Sequence, residues 1–300
     1  MKRNLYLLLS FLILASPIPS FSKSNSFEKE IEKKIECPSS FLANPPVYFY
    51  CIYRDYHNHH YDDGIKKAEA ALKEVWPLYE KNPKGLIPNS VNKKAKLKDP
   101  HLYKVVSDLH MLLGMLLYQK SMNLKDNSSH KIYVKFYDKL QKKGFDFVKT
   151  NELMMLYTMK KLFPSNFDSK KRERYKELLK EAGITEKDLD SFNEKVEKAS
   201  EKLDQQRLSL LKKAVNEFKE AIKTDPNNAL AYYQLGNLLS GALSESTPQD
   251  SQSAEYYYYK AALLLKKEGD LKGYKEVLRK LEIMNPNSKY LKLLRGKSDV

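Results

Sequence analysis

The stretch FKEAIKTDPNNALAYYQLGNLL, residues 218–239, decides the fold. With Ala214 upstream, Phe218 and Ala221 lie four and three residues apart, on one stripe of a helix. A small-large-small stripe lets a helix approach a neighbour closely while inserting one ring. Asp225-Pro226 ends the run, because proline has no amide to donate and restricts the residue before it. Asn227 and Asn228 can cap a new start. Tyr232, Leu235, Gly236 and Leu239 then form a second stripe, with the glycine allowing close approach. The stretch reads as a helical hairpin with its own turn chemistry.

A second copy follows. Tyr258, Ala261, Ala262 and Leu265 make one stripe, Gly269-Asp270-Leu271 a tight turn, and Tyr274, Leu278 and Leu281 another stripe. Asn285-Pro286-Asn287-Ser288 closes it much as Asp225-Pro226-Asn227-Asn228 closes the first. In these positions the chain resembles the tetratricopeptide repeat family, whose helix-turn-helix units carry this set of aromatic, Leu, Gly, Ala and Pro residues. The resemblance covers about 208–290, and Glu255–Ser288 is its best unit. Ala254, Tyr258 and Ala261 read equally well as the second helix of a repeat opened at Ala229, and the loop ESTPQDS at 245–251 is longer than the family's turn. Irregular repeats are therefore expected. His110, Leu113, Gly114 and Leu117 echo a first helix further upstream.

The resemblance implies an all-α solenoid whose concave face binds a protein or peptide. Carried over residue by residue, the groove side comprises Tyr233, Asn237 and Ser240, then Tyr256, Tyr259 and Lys267. Tyrosines with a basic rim suit an extended acidic or aromatic segment. One version of the family grips a C-terminal carboxylate with Lys and Asn. Gly236-Asn237 matches one corner of it, but Tyr233 stands where its lysine would be. In the tyrosine run 256–259, Tyr258 is expected in the core.

The N-terminal end carries a different signal. Lys2 and Arg3 precede the apolar run LYLLLSFLILA from Leu5 to Ala15, and Ser20 and Ser22 follow it two residues apart. That order describes a secretory signal peptide, cleaved after Ser22. The run is short for a permanent membrane helix. Export changes the reading of the two cysteines, Cys37 and Cys51. In an oxidising compartment a disulfide is favoured over two buried thiols. Closing a loop of about 15 residues would stabilise by roughly 3 kcal/mol. The segment between them holds Pro45-Pro46, which resists helix.

Four divisions follow: a signal peptide at 1–22, a leader with the cysteine pair at 23–60, a helical region at 61–205 and repeats at 206–300. The middle region reads either as a helical bundle or as further repeats. Its helices are expected at 63–79, ended or kinked by Pro77, then at 101–122, 131–142, 151–162 and 168–181. A last one starts at Thr185 and breaks near Asp204. Gly114 sits inside an almost wholly apolar helix, which close packing against a neighbour would explain. The lysine-rich stretch 81–100 reads as an exposed loop.

The formal net charge is +15. In an exported protein this points to anionic lipid, lipopolysaccharide or an acidic protein surface, and away from nucleic acid. His57, His59 and His60 with Asp62 and Asp63 are weak candidates for a metal site, lacking the His-Glu-x-x-His spacing. No phosphate-cradling glycine loop and no Gly-x-Ser-x-Gly turn is present, and Asn127-Ser128-Ser129 reads as a loop. The expectation is an exported, non-catalytic interaction or scaffold protein without cofactor, in a bacterial periplasm or at the outer envelope, where peripheral contact is open to it. The alternatives are an envelope hydrolase docked through the repeats, or adhesion to anionic lipids or glycans.

Overall fold

The computed structural model describes residues 36–87, 100–241 and 248–296. The signal peptide and its cleavage site, residues 23–35 of the leader, the loop core at 88–99 and residues 245–247 of the 245–251 loop lie outside the described residues, while Pro248 to Ser251, read as loop, begin a helix. The described chain is helical, with one isolated bridge between Leu86 and His101. It divides into two units: residues up to Met122 together with those from Ser209 onward, and Asn123–Leu208. The stretch read as one region, 61–205, is thus split at Met122.

The first unit is a stack of helical hairpins. Helix α1 (Pro45–His57) packs on α2 (Tyr61–Lys81), and α2 on α3 (Leu102–Met122). After the second unit the chain returns in the last part of α7 (Glu186–Thr224), then α8 (Ala229–Ser240), α9 (Pro248–Glu268), α10 (Leu271–Met284) and α11 (Lys289–Gly296). Helix α8 packs on α9, α9 on α10 and α11, and α3 touches both α1 and α8. This is a tetratricopeptide-like solenoid, all-α as the residue stripes require.

The stripes do the packing. Ala214, Phe218 and Ala221 are fully buried, and so are Leu235 and Ala261. A Cβ on Gly114 of α3 would lie 2.7 Å from the Phe218 ring, and one on Gly236 of α8 2.9 Å from the Tyr258 ring. The same contact, a glycine under an aromatic ring, therefore marks two hairpins: α3 with the end of α7, and α8 with α9. The partners of the first are separated in sequence by the whole second unit. This is why Gly114 and Phe218 could be read separately in the sequence but not as one repeat.

The two Pro turns share one construction. The Asp225 carboxylate accepts the Asn227 amide at 3.0 Å, and Asn228 caps α8 by accepting from the Ala231 amide at 3.0 Å. In the second copy the Asn285 side chain accepts the Asn287 amide at 3.1 Å, while Asn285 and Ser288 both donate to Glu255 of α9. Ser107 of α3 donates to the Ala221 carbonyl at 2.8 Å and accepts from Asn228 at 2.9 Å, which ties the first turn to α3.

Four local expectations are corrected. Pro45-Pro46 does not resist helix but opens α1 in its first turn, where a missing amide costs nothing, with Asn44 as cap. Pro77 does not end α2, which runs on to Lys81. Its ring is exposed, so the carbonyl it leaves unpaired can be hydrated. Asn127-Ser128-Ser129 is the first turn of α4 (Asn127–Gln141), capped by Asp126, which accepts from the Ser129 amide at 2.9 Å. Helix α7 passes Asp204 without a break; it contains no Gly or Pro, and Glu194–Lys198 and Asp204–Arg207 pairs lie along it.

The second unit comprises α4, α5 (Phe147–Leu162), α6 (Ser169–Ala182) and the first part of α7. Leu140, Phe145, Leu153, Tyr157, Tyr175, Leu178 and Leu189 form its core. Gly183, at φ 54°, ends α6 in the left-handed region. Thr185 and Asp188 then start α7 reciprocally. The Thr185 amide donates to the Asp188 carboxylate at 2.7 Å, and the Asp188 amide to the Thr185 hydroxyl at 3.3 Å.

Candidate functional site

Helices α8 and α10 are joined by a polar network built around the buried Tyr233. Helix α8 presents Tyr233 and Asn237, one turn apart, and α10 presents Glu276 and Lys280 at the same spacing. The Tyr233 hydroxyl donates to Glu276 at 2.6 Å. The Lys280 ammonium donates to the Asn237 side-chain oxygen at 2.7 Å and lies 4.9 Å above the Tyr233 ring. The Tyr258 hydroxyl, from α9 beneath, donates to the same Asn237 oxygen at 2.9 Å and lies 2.9 Å from the Ser240 hydroxyl. The Asn237 amide nitrogen donates to Gln234 at 3.3 Å.

This network explains the electrostatics. Burial, then the Glu276 carboxylate, raises the Tyr233 pKa. Burial lowers that of Lys280, with Arg279 adding repulsion and Glu276 opposing it. The lysine charge is held by an amide oxygen and a ring face, so it can exchange these for a carboxylate at little rearrangement. The arrangement can bind and orient an anion.

Of the residues expected along the groove, Tyr233, Asn237 and Ser240 come together here. Tyr256 and Tyr259 stand elsewhere, against α11. Tyr259 stacks on Tyr290 with ring centres 5.1 Å apart, and Tyr256 meets that ring edge-on at 6.1 Å. Tyr258 is in the core. Lys267 is exposed near the end of α9 beside Glu268. The division follows from pairing: α9 is the partner of α8, so its outer tyrosines face α11 and not the α8–α10 surface. Glu276 and Lys280 are the residues that sequence reading missed. Their spacing of four is visible, but what they face depends on that pairing. Lys280 also supplies the cation that Tyr233 seemed to displace.

The cysteines are joined, with Cα atoms 6.0 Å apart, and Arg54 donates to the Cys37 sulfur at 2.8 Å. The three histidines occupy the α1–α2 turn without converging. His57 stacks on Tyr53, His59 hydrogen-bonds the Tyr61 hydroxyl at 2.6 Å, and His60 precedes α2. Among the described residues no group of three His, Cys, Asp or Glu side chains is placed to hold a metal ion, and no helix is long and apolar enough to cross a membrane.

Residues 210–241, which comprise the end of α7, the Pro turn and α8, match the family model for the TPR repeat. No curated protein matches the chain. The sequence match and the stacked hairpins are alike TPR-like, and such repeats generally mediate protein–protein interaction.

Proposed function

We propose that the protein is an exported, non-catalytic scaffold that holds an acidic or aromatic segment of a partner protein on the α8–α10 face. The observation that carries this is the Lys280–Asn237–Tyr233 arrangement, a cation and an amide presented by neighbouring helices over a tyrosine ring. The TPR match lends the general role, since stacked hairpins commonly bind extended chains. What supports export is the basic, apolar, small-residue order of residues 1–22, together with the Cys37–Cys51 bond. A periplasmic or outer-envelope location follows from the same two features, and N-terminal sequencing of envelope-fraction protein should begin at Lys23.

A photo-cross-linking residue placed at exposed Arg279, beside Lys280, tests the binding face in intact cells. A discrete adduct is expected that Lys280→Glu abolishes while the helical circular dichroism is unchanged. No adduct above that formed from exposed Lys170, or an adduct indifferent to Lys280→Glu, would remove this reading.

A further inference from the structure

In the second unit, helix α5 turns Thr150, Leu153, Leu156 and Tyr157 inward. Its outer side carries Val148, Asn151, Met155, Thr158 and Leu162, spaced three, four, three and four, which is one continuous stripe. The stripe is exposed and bears no charge. Relative exposures are 71% for Val148, 56% for Met155 and 67% for Leu162, with Phe147 at 73% and Phe163 at 55% at its two ends. The charged side chains of α5 are all drawn sideways into ion pairs. Lys149 meets Glu181 at 3.1 Å and Glu152 meets Arg174 at 2.8 Å. Lys160 meets Glu186 at 2.5 Å and Lys161 meets Asp190 at 2.9 Å. Asn151 and Thr158 are then the only polar side chains on the outer face, and each has a partner within the unit, the Tyr137 hydroxyl and the Met154 carbonyl. An open, uncharged stripe with three apolar residues over about 21 Å at 1.5 Å per residue, and a phenylalanine at each end, is unfavourable in water without an occupant.

We infer that this stripe is a peripheral membrane-docking surface that lies in the interface of an anionic lipid bilayer, with Phe147 and Phe163 at its ends. Charge selects this occupant. The chain carries +15, and the exposed Lys142 lies in the turn that precedes α5. A second copy would cover the apolar stripe but bring two strongly positive molecules together. An anionic bilayer accepts the stripe and neutralises the charge at once. The helix lies on the membrane and does not cross it.

Flotation of the full chain with vesicles of equimolar phosphatidylglycerol and phosphatidylethanolamine tests the inference. The protein should float with these vesicles and not with phosphatidylcholine alone. The variant Val148→Ser/Met155→Ser/Leu162→Ser, checked for helicity, should bind at least about tenfold more weakly, since it removes much of the apolar area that would be buried. Failure of the native chain to float with anionic vesicles, or equal flotation of the variant, overturns the proposal. So does a dimer seen by sedimentation without lipid that the triple variant dissolves, because a second copy would then own the stripe. Independently, Val148→Trp in a Trp76→Phe background keeps the face apolar. Its emission should shift to the blue on adding anionic vesicles, and an unchanged spectrum contradicts the docking.

Discussion

A Cβ added to Gly114 would come 2.7 Å from a rigid, fully buried Phe218 ring, and a Cβ on Gly236 would come 2.9 Å from Tyr258. Alanine favours a helix over glycine by about 1 kcal/mol, whereas overpacking a closed core costs about 1–3 kcal/mol. The second effect should win. Gly114→Ala and Gly236→Ala should each lower the denaturation midpoint, and Phe218→Leu should recover part of the loss in Gly114→Ala but none in Gly236→Ala. A double-mutant cycle reads this coupling directly; strict additivity at the Gly114–Phe218 pair would show that the two do not pack. At the same scale, Phe218→Ala should cost about 3–5 kcal/mol. Both glycines were readable as sites of close approach. The ring over Gly114 was not, since it lies beyond the whole inserted unit.

Helix ends decide stability at the next scale. The carboxyls of Asp126, Asp168 and Asp188 are held below the usual carboxylate range, by Ser129, by the Lys171 amide and by the Thr185 amide respectively. A folded-state pKa below the unfolded one means that each cap contributes fully above the ordinary value of 3.8 and loses its contribution as pH falls below it. The second unit should therefore weaken on the acid side of that value. Asp188→Asn should flatten the acid limb of the denaturation midpoint, and an unchanged limb would deny the cap its role. Thr185→Ala, which opens the same box, should cost about 1 kcal/mol. Reduction of Cys37–Cys51 should destabilise the first unit by roughly 3 kcal/mol in chemical denaturation.

Which elements could be read in advance follows from the same physics. Caps such as Thr185 and stops such as Asp225-Pro226 act within a few residues, so they were visible. Pro45-Pro46 and Pro77 misled because a proline's effect depends on position: harmless in a first turn, tolerable where water reaches the orphaned carbonyl. The uninterrupted α7 was hidden by looking for a boundary in a long charged stretch that contains no breaker. Half of the α8–α10 face was legible as Tyr233, Asn237 and Ser240. Its lysine was not, because assigning Lys280 requires knowing that α9 partners α8.

For the whole molecule, the account is that hairpins bury one another and that one of them, α3 with the end of α7, is interrupted by a self-contained helical unit at Asn123–Leu208. Both flanking positions, Met122 and Ser209, belong to the hairpin stack, so the stack does not need the insert for its core. Replacing residues 123–208 by a short Asp-Gly turn and following helical circular dichroism through thermal denaturation tests this most directly. The account predicts a soluble, helical chain that melts in one cooperative transition, with Gly114→Ala still destabilising it; a chain that loses its helix content or melts without a transition would contradict it.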